Sequence, residues 1–218
     1  ERWFDYHMKE KTNFQKESLT WIDHMLMTGH SVMKAFWDSD NKTCKFEAVD
    51  PLYWIVPDHT TDLQEADWMV QIMPMSVSAF LRDDRYDHSL LDKIRGDGRD
   101  ENTNTTQRDN EKFRREGLTY SGDDNMVIIW EHYKRDENGN WLVSTYSPVL
   151  PDHDLRPVMK LPYRHGQAPF VDATYEVKDK GWYAARGLPE MVAPEEAYLN
   201  KLMNGKADAI TFYNTPMF

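Results

Sequence analysis

Two β-prone stretches joined by an Asn-Gly turn constrain the fold more than any other feature of this sequence. The first stretch runs from Asn125 to Lys134, the second from Trp141 to Tyr146, and Asp136–Asn140 lies between them. The Asn138-Gly139 pair is typical of tight hairpin turns, because both residues tolerate the positive φ angles that such turns require. The sequence therefore predicts an antiparallel hairpin at this point.

Further extended segments lie on both sides of this hairpin. Ser31–Trp37 and Thr43–Val49 are separated by a polar turn at Asp38–Asn41 and predict a second hairpin. Asp50-Pro51 ends it, because proline cannot donate a backbone hydrogen bond. Four more extended segments are predicted at Leu52–Val56, Trp68–Met73, Val158–Leu161 and Pro169–Tyr175.

Four segments have helical patterns, one of them a turn or two at Ser89–Ile94. Glu1–Thr28 carries apolar residues along one stripe without an interrupting proline or glycine, and Gly29 supplies a stop signal. Ser76 is a favourable N-cap for a short helix that continues to about Asp83. From Gly187 onward the apolar spacing is helical again, and Pro189 or Pro194 is expected to kink or restart this helix.

These elements predict an α+β fold with a long N-terminal helix, antiparallel hairpins or a meander, and a C-terminal helix. Residues from Gly96 to Thr119 have no apolar periodicity and predict a solvated loop. We therefore divide the chain into a helix with a β-meander at 1–95, a polar mobile loop at 96–122, and a hairpin region leading into the C-terminal helix at 123–218.

The charge balance makes tight binding of nucleic acid a poor interpretation. The 218 residues include 26 basic and 37 acidic side chains, for a net charge of −11. Proteins that grip DNA or RNA neutralise phosphates with clustered Lys and Arg. An acidic surface can still face DNA where the DNA must slide, because like charges repel.

Other classes are limited by cysteine content and hydropathy. Cys44 is the single cysteine, so neither an internal disulfide nor a cysteine-based zinc site is predicted, which suits a reducing compartment. No apolar run approaches the ~20 residues of a membrane-spanning helix. The chain begins at Glu1 without Met and ends at Phe218, and we expect an internal fragment of a longer protein.

Two segments contain possible metal ligands, but a polar turn is the favoured interpretation of each. Asp152-His153-Asp154 between Pro151 and Pro157 favours a polar turn, although with His165 it could serve a metal-dependent hydrolase. Asp58–Asp62 could bind a hard cation, but a turn between strands is favoured. His24 and His30 stand six residues apart across a helix end and do not share a face.

Other catalytic patterns are weaker still. Ser121 lacks a nucleophile-elbow motif, and Gly96-Asp97-Gly98 has no strand before it, so it fails the context of a phosphate loop. The acidic pairs are adjacent in sequence, which favours a solvated surface; they are Asp83-Asp84, Asp123-Asp124 and Glu195-Glu196. We predict no catalytic, cofactor-binding or metal-binding residue, no cofactor, and no enzymatic activity.

Aromatic residues are concentrated on the predicted strands, among them Trp37, Trp54, Trp130, Trp141 and Tyr146. Such side chains could stack on single-stranded nucleic acid, but those surfaces also need basic grooves. Core and subunit-interface packing is the favoured interpretation, because aromatic side chains bury large areas.

Six short segments follow one another in order along most of the chain. They are Leu26–Lys34 around Gly29, Glu47–Asp58 with Asp50-Pro51, Trp68–Val70 followed by Met75-Ser76, Val127–Lys134 after the polar linker, Leu161–Phe170 with its Pro-Tyr and Pro-Phe pairs, and Gly181–Glu190 with Asn200–Asp208. In this order they resemble the portal proteins of tailed bacteriophages. The sequence is similar to the wing of such a protein, with parts leading into the stem and channel.

The resemblance implies a structural subunit of a head-to-tail connector ring at one capsid vertex. Such a ring, usually a dodecamer, is the conduit for DNA packaging and genome ejection and the docking site for terminase and tail. The implied partners are copies of the chain, the terminase large subunit, the major capsid protein and tail adaptor proteins, while double-stranded DNA passes through without sequence-specific binding. The implied location is the virion, after assembly in the host cytoplasm, without a membrane. Another virion connector or baseplate protein is the main alternative, and the metal-dependent hydrolase is the other.

Overall fold

The computed structural model describes residues 6, 8, 12–38, 41–96, 126–179 and 181–214. Within these residues the helices are α1 (Phe14–Thr28), α2 (Val77–Arg82), α3 (Leu91–Gly96) and α4 (Leu188–Asn214). The strands are β1 (His30–Asp38), β2 (Thr43–Val49), β3 (Trp54–Ile55), β4 (Trp68–Ser76), β5 (Met126–Arg135), β6 (Trp141–Ser147), β7 (Leu150–Lys160), β8 (Phe170–Thr174), β9 (Glu176–Val177) and β10 (Ala185–Arg186).

The strands form three antiparallel sheets. One sheet has the order β2-β1-β8, a second has the order β3-β4-β5-β6-β7, and β9 pairs with β10 in a two-stranded ribbon. The predicted Asn-Gly hairpin is confirmed as β5–β6, with Gly139 at φ 79°. The predicted hairpin around Asp38 is confirmed as β1–β2, in which Val32 lies opposite Val49 and Asp38 opposite Thr43.

The main core lies between the three-stranded and five-stranded sheets. Val32 and Phe170 from the smaller sheet pack with Trp54, Met69 and Tyr133 from the larger one, and all five are buried. A second cluster lies beneath α2 and α3, where Phe80 packs against Ile129 and Leu155. Alternation along β5 explains this arrangement, because residues at i and i+2 of a strand point to the same face.

The predicted α+β fold with a long N-terminal helix is wrong. Within the described residues the protein is mostly β, with ten strands in three sheets, and its one long helix is α4 at the C-terminal end. The N-terminal helix α1 has 15 residues and begins at Phe14 rather than at Glu1. Residues 1–5, 7 and 9–11, which the predicted helix included, lie outside the described residues.

The start of α1 has a physical cause at Asn13. The Asn13 side chain makes no capping bond to the helix; its Nδ2 donates to the Phe46 carbonyl at 2.7 Å, and its Oδ1 accepts from the Phe46 N–H at 3.2 Å. The side chain therefore satisfies the backbone N–H and carbonyl of Phe46 on the edge strand β2, as a neighbouring strand would. At the other end Gly29 ends α1 as predicted, in a left-handed conformation at φ 92°.

The strands of the two predicted halves are interleaved. β4 and β5 pair from Trp68–Lys134 to Ser76–Met126, whereas β8 joins β1 in the smaller sheet. Most of the predicted loop at 96–122 lies outside the described residues, which resume at Met126.

Candidate functional site: a buried charge cluster and an exposed helix

Six side chains meet between the two larger sheets, and we call them the charge cluster. Its members are Lys34 on β1, Glu47 on β2, Gln71 on β4, Glu131 and Tyr133 on β5, and Arg156 on β7. The strand register brings them together, because Lys34 lies opposite Glu47 and Gln71 lies opposite Glu131. The cluster therefore contains two cations and two carboxylates in the interior of a mostly apolar interface.

Lys34 is the centre of the charge cluster. Its Nζ donates to Glu131 Oε2 at 2.6 Å and to Gln71 Oε1 at 2.9 Å. The Gln71 Nε2 in turn donates to Glu47 Oε1 at 2.9 Å. Lys34 and Glu131 are only 8% and 6% exposed, so each is paired inside the protein rather than in solvent. These bonds connect β1 and β2 of one sheet to β4 and β5 of the other.

The Glu131 carboxylate is held by three donors. Besides Lys34, it accepts from the Tyr133 hydroxyl at 2.7 Å and faces the Arg156 Nη2 at 3.4 Å. Burial alone would raise the pKa of Glu131, but the Lys34 charge, the bonds from Lys34 and Tyr133, and the Arg156 charge together lower it. Glu131 is therefore ionised in the folded protein at neutral pH.

The pKa values of Glu47 and Tyr133, two other members of the cluster, are also shifted. Burial raises the pKa of Glu47, and the Lys34 charge opposes this shift only in part. Burial also raises the pKa of Tyr133 well above its ordinary value, and the neighbouring Glu131 carboxylate adds to the shift. Both effects follow from placing ionisable groups away from water.

The bonding pattern of the charge cluster suits a structural connection. A general acid or base directs its proton or lone pair at the position of a substrate. Here the Lys34 ammonium donates to two protein acceptors, and the Glu131 carboxylate accepts from or faces three protein donors. The arrangement therefore fixes the two sheets relative to each other, and the hydrogen bonds of Lys34 and Glu131 go to other protein groups.

Sequence reasoning missed the charge cluster, although a signal was present. Lys34 stands between Val32 and Phe36 on inward positions of β1, and Glu131 stands between Ile129 and Tyr133 on β5. A charged residue at an inward position of an apolar strand needs a buried partner. Which residues supply that partner depends on how the two sheets pack, and the sequence does not encode that pairing locally.

The Asp152-His153-Asp154 segment lies in strand β7, so the predicted polar turn is wrong. All three side chains are exposed, and the register of β7 against β6 shifts here, since Tyr146 lies opposite Asp154 and Ser147 opposite Leu150. His165, the fourth ligand considered, stacks on Tyr163 with ring centroids 5.5 Å apart, and its Nδ1 accepts from the Gln167 N–H. Among the described residues, no group of three or more His, Cys, Asp or Glu side chains could hold a metal ion.

The other polar candidates are placed separately. His24 lies in α1 and His30 at the start of β1, where His30 packs against Trp182 with ring centroids 4.1 Å apart. Asp58–Asp62 forms turns as predicted, and Asp62 accepts from the Gln64 N–H at 2.7 Å. Ser121, Gly98 and the pair Asp123-Asp124 lie outside the described residues.

The strand aromatics divide between the core and the outer face of the five-stranded sheet. Trp54, Trp141 and Tyr133 are buried in the main core, as predicted for packing residues. Trp130 and Tyr146 lie half-buried on the opposite face, with ring centroids 6.0 Å apart.

Helix α4 is the second feature with functional potential. Its 27 residues are exposed along nearly the whole length, although many of them are large and apolar. Leu199 is 59% exposed, Leu202 51%, Met203 66% and Phe212 72%. An amphipathic helix of a soluble domain ordinarily buries such a face.

A close backbone contact fixes the start of α4 to the end of α1. A Cβ placed on Gly187 would lie 2.5 Å from the Met27 carbonyl oxygen, and one on Gly29 would lie 2.5 Å from the Arg186 carbonyl carbon. Glycine at both positions allows the two backbones to touch. Glu190 also forms an ion pair with Lys178, so the base of the helix is held while its apolar stripe stays exposed.

Neither the scan against protein-family models nor the search of curated proteins found a match for this chain. In the part of the chain that the structure describes, no helix combines the length and apolar character needed to span a membrane.

Proposed function

We propose that this chain is a structural subunit of the portal ring of a tailed bacteriophage, and that it acts by assembling with copies of itself rather than by catalysis. In this proposal the ring sits at one capsid vertex in the virion, after assembly in the host cytoplasm. Its partners are the terminase large subunit, the major capsid protein and tail adaptors, and DNA passes through its centre.

The observation that carries the proposal is the exposed apolar surface of α4. Large apolar side chains that remain in water on a helix of 27 residues favour a protein partner. The charge cluster, by contrast, pairs its ionic groups inside the chain and stiffens the β body from which α4 extends. A rigid body with an apolar helix is suited to assembly.

Two features of the sequence support the identity of that assembly. The six ordered segments from Leu26 to Asp208 are similar to portal proteins, although each is weak alone. The net charge of −11 suits a conduit in which a polyanion must move without adhering. Both features point to a passive channel component.

Native mass spectrometry and negative-stain imaging of the full-length protein test this proposal. A hollow ring with a central pore, with a dodecamer as the expected state, would support it. A strict monomer at high concentration would contradict it. A regular assembly without a pore would favour the other virion component, such as a baseplate or connector protein.

A pair of variants on α4 tests whether the helix mediates assembly. Leu202→Asp places a charge within the apolar stripe, whereas Asn204→Asp places the same charge on the opposite side of the helix. We expect Leu202→Asp to abolish the assembly and Asn204→Asp to leave it intact. Equal behaviour of the two variants would show that α4 is not the assembly surface.

A further inference from the structure

Two opposite charges lie within the apolar stripe of α4. Residues at alternating spacings of four and three share one line along a helix. On α4 that line contains Val192, Glu195, Leu199, Leu202, Lys206 and Ala209, and we call it the α4 seam. Glu195 and Lys206 are both exposed. The 11 positions between them correspond to about 16 Å along the helix, too far for an ion pair within one helix.

The order of residues in the α4 seam is self-complementary about its midpoint. The midpoint falls between Leu199 and Leu202, and Glu195 and Lys206 lie at equal distances on either side of it. A two-fold axis through this point would place residue i of one copy against residue j of the other, and the reverse. An antiparallel pair therefore matches each Glu195 with a Lys206 and each Leu199 with a Leu202.

From this symmetry we infer that two copies of the chain pair through antiparallel α4 helices, with Glu195 of each copy against Lys206 of the other. The inference concerns the chain outside any ring and does not rest on the portal proposal. A ring would use the same exposed stripe, so the pair is a state of the unassembled subunit.

Other arrangements of two α4 helices satisfy fewer interactions. A parallel pair in register places Glu195 against Glu195 and Lys206 against Lys206, and like charges at an interface are strongly unfavourable. A parallel pair shifted by 11 residues places one Glu195 against one Lys206 and leaves the other Glu195 and the other Lys206 without an opposite charge on the seam. The antiparallel pair satisfies both charge pairs and covers the two central leucines, which are 59% and 51% exposed in the single chain.

Pro194 does not interrupt the part of α4 that the pairing uses. Proline removes one backbone hydrogen bond and bends a helix on its N-terminal side. The helix continues from Glu195 to Asn214 beyond it. The two charge pairs and the two leucine layers all lie in this C-terminal part.

Charge reversal tests the inference by sedimentation equilibrium of the wild-type chain and four variants. The wild type should be a dimer. Glu195→Lys or Lys206→Glu alone should raise the dissociation constant roughly tenfold or more, because each puts like charges together twice. The double variant should recover the wild-type value. The matched control is Glu196→Lys, which lies off the seam and should behave as the wild type. A monomeric wild type, or a dimer indifferent to these reversals, would overturn the inference.

Disulfide trapping in a Cys44→Ser background tests the direction of the helices. Antiparallel pairing predicts that a mixture of Val192→Cys and Ala209→Cys chains forms the mixed disulfide. It also predicts that Val192→Cys alone does not cross-link, because its two copies would be about 25 Å apart along the helices. Cross-linking of Val192→Cys with itself would show parallel pairing and overturn the inference. A ring formed by the full-length protein would leave the portal proposal standing in that case.

Discussion

At the scale of single residues, the half-buried His30 has a strongly lowered pKa, which makes the stability of the fold depend on pH. Burial against Trp182 lowers the pKa of His30 from 6.5 to about 4, so the folded protein holds it neutral. The unfolded chain binds a proton at higher pH than the folded one. His30 therefore contributes full stability above about pH 6.5, and the contribution is lost as the pH falls toward 4.

We expect His30→Phe to flatten the pH dependence of stability. The lowered pKa corresponds to a loss of about 2 kcal/mol in the wild type between pH 7 and pH 5, and a phenyl ring cannot take up the proton. Urea unfolding at the two pH values measures this difference. The exposed His153→Asn is the control and should keep the wild-type difference. An unchanged difference in His30→Phe would contradict the assignment.

A second prediction at this scale concerns the charge cluster. Lys34→Met removes the central cation and leaves Glu131 and the Gln71 amide oxygen without it, so we expect a loss of about 3 to 5 kcal/mol in unfolding free energy. Lys45→Met on the neighbouring strand is the control. Lys45 pairs with Asp38 at 2.5 Å but is 44% exposed, and its loss should cost about 1 kcal/mol or less.

The double variant Lys34→Met/Glu131→Leu separates the pair from its surroundings. Removing both charges avoids an uncompensated buried carboxylate, so we expect the double loss to be well below the sum of the single losses. Urea denaturation of the wild type, Lys34→Met, Glu131→Leu and the double variant gives the coupling free energy between Lys34 and Glu131. Additive losses would show that Lys34 and Glu131 do not depend on each other.

At the scale of elements, Gly187 just before α4 and Gly205 in its interior should respond in opposite directions to alanine. A Cβ on Gly187 would lie 2.5 to 2.9 Å from the backbone of Leu26 and Met27, whereas one on Gly205 would meet nothing within 4 Å. We expect Gly187→Ala to destabilise the protein by about 2 kcal/mol or more, because backbone must move. Gly205→Ala should stabilise it by up to about 1 kcal/mol, because alanine is the better helix former. Urea unfolding measures both, and a tolerated Gly187→Ala would contradict the close contact.

The elements also show how far local sequence patterns predict this fold. The Asn-Gly hairpin, the hairpin at Asp38 and the Gly29 stop depend on neighbouring residues, and each was predicted. The last part of β7 was predicted as the extended segment Val158–Leu161, but its first part was missed. Pro151, Pro157 and the polar run Asp152-His153-Asp154 are typical of a turn, yet this segment is also strand. It exists as the edge strand beside β6, where a missing N–H is tolerated. The strand predicted at Trp68–Met73 continues through Pro74 to Ser76, and proline is tolerated there because β3 pairs with β4 only at Val70 and Gln71.

The length of α1 and the charge cluster could not be predicted from local sequence patterns, because both depend on residues that are far apart along the chain. The helix starts where the Asn13 side chain binds the Phe46 backbone, 33 positions away along the chain. The Lys34–Glu131 pair joins residues 97 positions apart. Such partners become neighbours only when the sheets pack. A sequence pattern can indicate that a buried charge needs a partner, but it cannot identify the partner.

At the scale of the whole molecule, the charge balance gives a prediction about DNA. Thirty-seven acidic and 26 basic side chains give a net charge of −11, so the mean field of the chain repels a polyanion. Phosphate contacts by Lys and Arg account for non-specific DNA binding and make it weaken with salt. We therefore expect no saturable binding of duplex DNA, even at low ionic strength.

Fluorescence anisotropy of labelled duplex at about 50 and 200 mM salt measures this directly. We expect the anisotropy to stay constant as protein is added at both salt concentrations. DNA binding of this kind displaces counterions from the phosphates, and that requires clustered Lys and Arg side chains. Binding that weakens steeply with salt would reveal a basic surface hidden within the acidic average, and it would contradict a passive conduit. Binding that is tight and indifferent to salt would also contradict it, since DNA would then be held by contacts that resist sliding.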